Sequence, residues 1–156
     1  MSAALLKQSV LFKDFSPVGL NILSRIARGR LLLAGNALFA EGAPSEALYF
    51  VVEGRLALTM AGQDGRQVAV GSLGPGEHLG QMALLSDGAP VAHLCSAVAE
   101  SDSKVLEIPA AEFRALMKEK PQACMKLLLA ISQDFGKRLA SSGDVLKFMV
   151  GRTYSR

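Results

Sequence analysis

Between Arg30 and Ile108 the chain is a series of short apolar runs, each closed by residues that turn the backbone. The runs are Leu31–Leu33, Ala47–Val52, Leu56–Met60, Val68–Val70, Val91–Ala99 and Val105–Ile108. Between them stand Gly35-Asn36, Glu53-Gly54, Gly62-Gln63-Asp64-Gly65, Gly74-Pro75-Gly76 and Asp87-Gly88-Ala89-Pro90. Apolar segments this short, at near-regular intervals with glycine-rich turns, read as strands of an antiparallel sandwich or roll. The glycines gather here because tight turns require φ > 0, which residues with a Cβ resist.

The flanks carry a different period. Ser16-Pro17 is a cap followed by a first-turn proline, and Leu20, Leu23, Ile26 and Ala27 then recur at helical spacing. After the strand zone, Pro109 opens a helix with Phe113, Leu116 and Met117 on one face, and Pro121 opens a longer one. In the longer helix Leu128, Ile131, Phe135, Leu139, Leu146 and Met149 are spaced as a seam, which fits either packing on the roll or pairing with a second copy. Ser142 interrupts that seam and Gly143 weakens it, so a bend or end of the helix is expected there. The expected fold is mainly β with flanking helices: a double-stranded β-helix, or jelly-roll-like β-roll. Residues 1–156 form one domain, with N-terminal helices over 1–29, the roll over 30–108 and C-terminal helices over 109–156.

Charge follows the same three zones. Residues 1–35, 36–112 and 113–156 carry +4, −7 and +6, which recovers the net +3. An acidic middle between basic ends is not the footprint of a compact nucleic-acid-binding module, whose cations gather on one face. A small ligand remains compatible. Half of the 156 residues are apolar, enough to bury a core without metal or disulfide staples. Cys95 and Cys124 match no paired ligand spacing and read as reduced, buried thiols. With no hydrophobic signal region at the N-terminus and no long uncharged apolar window, the expectation is a cytoplasmic protein that does not engage a membrane.

The most informative stretch is residues 71–99. A glycine-rich turn leads to Gly80 and then to a short apolar segment, Gln81–Leu85, whose helical start would present free amides to an anion. Pro90 is expected to open the next strand. The order of these parts resembles the cyclic-nucleotide-binding domain family, which includes catabolite activator proteins and the regulatory subunits of cyclic-nucleotide-dependent kinases. The resemblance runs over nearly the whole chain. It is closest in Ala40-Glu41-Gly42-Ala43-Pro44-Ser45-Glu46-Ala47-Leu48-Tyr49-Phe50-Val51-Val52-Glu53-Gly54-Arg55, in Leu73-Gly74-Pro75-Gly76, and in Leu79-Gly80-Gln81-Met82-Ala83-Leu84-Leu85, which is similar to the family's phosphate-binding cassette.

The resemblance implies a non-catalytic sensor or regulatory domain, with cyclic AMP or cyclic GMP as regulatory ligand and no cofactor. The ligand residues it implies are Gly80, Gln81, Met82, Ala83, Leu84, Val91 and Ala92, with Arg138 and Ser142 of the long helix placed where the family's base-contacting groups lie. Two positions depart from the pattern. Gln81 stands where the family places a ribose-binding glutamate, and Val91 where it places the arginine that pairs with the cyclic phosphate. Losing one hydrogen bond to a charged group costs about 1.5–3 kcal/mol, or about 10- to 100-fold in affinity. Three outcomes stay open: weak cyclic-nucleotide binding, a less anionic ligand, or a scaffold that kept the fold. A homodimer through the C-terminal helix is expected. The family's transcription factors continue into a helix-turn-helix domain; this chain stops at Arg156, so DNA reading by that route is not expected.

Other constellations are thin. His93 and Cys95 would share one face of a strand, and a half-buried histidine and a core cysteine account for them. With His78 and His93 the only histidines, the chain falls short of the His-rich cluster of a metal-dependent cupin enzyme. Lys137, Arg138, Lys147, Arg152 and Arg156 read as the solvated face of a helix.

Overall fold

The computed structural model describes residues 2–143. The chain opens with α1 (Ser2–Leu6), a single 3-10 turn at Val10–Phe12, and α2 (Pro17–Ser24). Strands β1 (Arg28–Leu32), β2 (Ala37–Phe39), β3 (Ala47–Glu53), β4 (Leu56–Ala61), β5 (Gln67–Leu73) and β6 (His78–Leu79) follow. Then come α3 (Met82–Leu85), β7 (Ser96–Ala99), β8 (Ser103–Pro109), α4 (Ala110–Glu119) and α5 (Pro121–Ser141). The strands form two antiparallel four-stranded sheets in the orders β1-β8-β3-β6 and β2-β7-β4-β5, the roll expected from the sequence.

Every residue of β3 from Ala47 to Val52 is buried, because the strand is covered on both faces. Ala47, Tyr49 and Val51 turn into the roll, where they meet Leu56, Leu73, Ala97, Ala99 and Val105. Leu48, Phe50 and Val52 turn the other way, onto Phe12, Leu23, Phe113, Leu127 and Ile131 of the helices. One continuous apolar run in sequence thus serves two cores.

The helices end for identifiable reasons. The Ser16 hydroxyl accepts from the Gly19 N–H at 3.2 Å, and Pro17 occupies the first helical position, as the sequence indicates. The C-terminus of α2 tightens into three-residue turns, Arg25 N–H to Ile22 O and Ile26 N–H to Leu23 O. Ile26 and Ala27 therefore lie past the helix, although both pack on its core. Pro109 is the last residue of β8 and caps α4 in an extended conformation, rather than sitting inside the helix.

The strand expected from Pro90 onward is shorter than anticipated. Only Ser96–Ala99 is strand, while Val91–His93 is tied irregularly to the 42–45 loop by Ser45 N–H to Val91 O, His93 N–H to Ala43 O and Gly42 N–H to His93 O. The spacing argument for His93 and Cys95 falls with it, and Cys95 is half-buried rather than core. Cys124 is fully buried. In α5 the expected seam divides. Ile131 belongs to the core with Cys124 and Leu127, while Phe135 is 43% exposed. The helix stops at Ser141 with Ser142 as its cap; Leu146 and Met149 lie outside the described residues. Among the described residues no helix is long and apolar enough to cross a membrane.

Candidate functional site

The turn from β6 into α3 is built around Gly80. Its φ is +79°, and a Cβ there would lie 2.4 Å from the Ala47 carbonyl oxygen, so only glycine fits. The close approach seats Gln81 and α3 against β3. The Gln81 side chain makes no capping bond. Ala83 N–H and Leu84 N–H are spent on Gly80 O and Gln81 O, so the helix start offers fewer free amides than its sequence suggests.

A cavity of about 230 Å³ opens beside this turn. Gly80, Gln81 and Met82 form one wall, and the irregular segment Ala92–Cys95 forms another. Phe39, Leu58, Leu73 and Leu79 supply its apolar side, Ser45 and His78 its edge, and Arg138 reaches it from α5. His93 lies flat on Phe39, with ring centroids 3.5 Å apart, and burial lowers its pKa. The cavity therefore combines an apolar body with a few polar groups at its rim, the usual make-up of a small-molecule site.

The polar rim is organised by α5. Asp134 Oδ2 accepts from Arg138 Nε at 2.7 Å, one helical turn apart, and faces His78 Nε2 at 3.4 Å. His78 is buried, and its pKa falls from 6.5 to about 4. Desolvation is the largest cause and the Arg138 charge the next, with Asp134 and Glu77 opposing both. The ring is therefore neutral at physiological pH. Arg138 is the only formally charged side chain that lines the cavity among the described residues.

Of the residues singled out in the sequence, Gly80, Gln81, Met82, Ala92 and Arg138 come together here. Ala83 and Leu84 face the helix-side core instead. Val91 lies in an adjoining groove with Ala83, Ser86, Pro109 and Arg114, which shares Ser45 with the cavity. The Arg114 guanidinium donates to Ala83 O at 3.5 Å. The Ser142 hydroxyl is spent on Arg138 O at 2.9 Å and does not reach the cavity.

Sequence reasoning missed Ser45, His78 and Asp134 as parts of the site. Ser45 sits in a stretch quoted only for its turn. In sequence His78 reads only as a candidate metal ligand, and Asp134 gives no signal because its place depends on where α5 crosses the roll. His78 carries a signal of its own: a histidine two residues before Gly80, beside a strand, is placed to be buried next to that turn.

Residues 30–120 match the family of the cyclic nucleotide-binding domain. The chain is 30% identical over 128 residues to the cyclic AMP receptor protein of Thermus thermophilus, an alignment that covers 82% of this chain and 58% of the receptor. The chain thus spans little more than half the length of that relative. It is also similar to the structure of a cyclic nucleotide-binding-like protein from Brucella abortus, with 32% identity, a TM-score of 0.63 and coverage of 75% of this chain and 97% of that one. The N-terminal domain of a transcriptional regulator from Streptomyces coelicolor superposes with a TM-score of 0.74 at 25% identity, over 86% of this chain and 94% of the other.

Proposed function

We propose that this chain, which belongs to the cyclic nucleotide-binding domain family, is a non-catalytic regulatory module that senses a cyclic nucleotide through an altered phosphate-binding cassette. The observation that carries this reading is the roll cavity, where Gly80, Gln81, Met82 and Ala92 of the cassette face Arg138 of α5 across about 230 Å³. A cyclic nucleotide has one negative charge and a flat aromatic base with apolar faces and a polar edge. The cavity has one cation and an apolar wall from Phe39, Leu58, Leu73 and Leu79.

Arg138 belongs to α5 and the cassette to the roll, so a ligand that touches both stabilises the arrangement in which α5 lies over the cavity. Such a ligand shifts the equilibrium only by the difference in its affinity for the closed and open arrangements. Val91 provides no charge, and Gln81 accepts a ribose hydroxyl without the charge of a glutamate, so the affinity is lower than a full cassette would give.

The apolar residues that α5 leaves in solvent, Met125, Leu129 and Phe135, support a homodimer in which two such helices pair. Sedimentation at micromolar concentration is expected to give twice the monomer mass, and Phe135→Asp to give one.

Isothermal titration with cyclic AMP and cyclic GMP tests the sensor reading. A dissociation constant weaker than about 1 μM is expected for one of them. No heat and no thermal shift at millimolar nucleotide would end it and leave a scaffold that retains the fold.

A further inference from the structure

The segment after the cassette holds the second of the chain's two histidines. His93 is 7% exposed and lines the roll cavity. Its backbone is clamped by the 42–45 loop, His93 N–H to Ala43 O and Gly42 N–H to His93 O, each at 2.8 Å. Its ring lies on the Phe39 ring with centroids 3.5 Å apart and planes 3° from parallel. The imidazole is therefore held in place from the backbone and from an aromatic face, as a preorganised binding group must be.

The nitrogens of that ring are unspent. Neither has a hydrogen-bond partner among the described residues, and neither is enclosed as His78 Nδ1 is. Burial alone lowers the pKa of His93, and no charged neighbour acts on it. Phe39 and the 42–45 loop bring no charge to it, and Tyr49, tilted against Phe39, is kept protonated by its own burial. The Glu41 carboxylate accepts from Ala61 N–H at 2.7 Å, and burial pushes the Cys95 thiol up. Arg138 of α5 is the one cation that shares the cavity among the described residues.

A neutral imidazole so placed changes its charge when an anion arrives. The anion favours the imidazolium and opposes the desolvation that favours the neutral ring. The Phe39 face works in the same direction, because a cation over an aromatic ring is attracted by its quadrupole.

We propose that His93 is the second anion-holding residue of the roll cavity: it takes up a proton from solvent as an organic phosphate binds and shares the negative charge with Arg138, in a cassette where Val91 supplies none. The proposal rests on the sensor reading above and adds to it the residue that makes binding depend on pH. The bound ring titrates at a higher pH than the free one. Affinity is therefore greatest below the pKa of the free ring and is lost as pH rises through that of the bound ring.

Calorimetry with cyclic AMP and cyclic GMP from about pH 8 to about pH 5.5 tests this, in two buffers of different ionisation enthalpy so that proton uptake is counted. The window isolates His93, since His78 titrates at about 4. The unaltered protein is expected to bind about tenfold more tightly at the acid end, the effect of one unit of pKa, and to take up a proton in between. His93→Gln keeps a polar side chain that does not titrate, and His93→Phe keeps the stack on Phe39. Both are expected to hold one affinity across the range and to take up no proton.

Binding by the unaltered protein without pH dependence overturns the assignment and leaves the sensor reading intact. So does a pH dependence that persists in either variant, or one that appears equally with adenosine, which lacks the phosphate. No binding of either cyclic nucleotide by the unaltered protein at any pH in the range ends the sensor reading and this assignment with it. Nitrogen chemical shifts give a further check: a His93 ring that stays neutral in the complex at the acid end also overturns it.

Discussion

The two faces of β3 look onto two interiors that are filled differently. On the helix side Leu48, Phe50 and Val52 meet Phe12, Phe15, Leu23 and Phe113, and the three largest fully buried side chains of the described molecule, Phe12, Phe50 and Phe113, all lie there. Phe12 packs its ring against Phe15 and Phe50 at centroid distances of 5.0 and 5.2 Å. On the roll side Ala47, Tyr49 and Val51 meet Ala97, Ala99, Leu56 and Leu79, and Leu73 and Leu79 of that cluster also line the cavity. The same strand therefore anchors an aromatic-rich core on one face and a cluster of mostly smaller side chains on the other, part of which continues into the cavity lining.

The comparison is broken most directly by truncating one side chain on each face. Phe113→Ala, at a position with 0% exposure in the dense core, is expected to cost about 3–5 kcal/mol in urea denaturation. Leu79→Ala borders a space that is already open and is expected to cost only about 2 kcal/mol, the low end for a buried leucine. Equal losses would mean that the roll interior is packed as tightly as the helix side.

Acid probes the helix side, where the buried His78 pairs with Phe50 across the strands and faces Asp134 of α5. Unfolded, His78 titrates near 6.5; folded, near 4. Between these values the unfolded chain binds a proton that the folded one does not. The stabilisation is complete above about pH 6.5 and is lost as the pH falls towards 4, by about 3 kcal/mol in total. Denaturation midpoints measured from pH 7 down to 4 should fall more steeply in the unaltered protein than in His78→Gln.

The smallest effect concerns the turn that shapes the cavity. Gly80→Ala places a Cβ against the Ala47 carbonyl at a φ of +79° and is expected to cost about 2 kcal/mol. Gly88→Ala, also at positive φ but with nothing within 4 Å, should cost about 1 kcal/mol. Calorimetric melting of the two variants reads the difference, which is the contribution of the close approach alone.

Much of the fold was legible in the residues. The run from Ala47 to Val52, the Gly62-Gln63-Asp64-Gly65 turn between β4 and β5, the Ser16 cap and the proline at the start of α5 act locally, through φ preferences and a nearby hydroxyl. The short strands β2 and β6 left no such mark. Three and two residues long, they are strands only because β7 and β3 lie alongside to accept their hydrogen bonds. The strand expected after Pro90 failed for the converse reason: Val91 and His93 found their partners in the 42–45 loop rather than in a ladder.

The site divides along the same line. The sequence by itself determined the glycine turn at Gly80 and the short apolar helix that follows it, because these are properties of consecutive residues. Tertiary structure alone decided that Arg138 and Asp134, more than fifty residues further along the chain, come to lie beside His78, that Val91 faces an adjoining groove, and that Ser142 is used up on its own helix. These outcomes depend on the angle and height at which α5 crosses the roll. That geometry is fixed by Cys124, Leu127 and Ile131 packing against distant side chains, and no local pattern of residues encodes it.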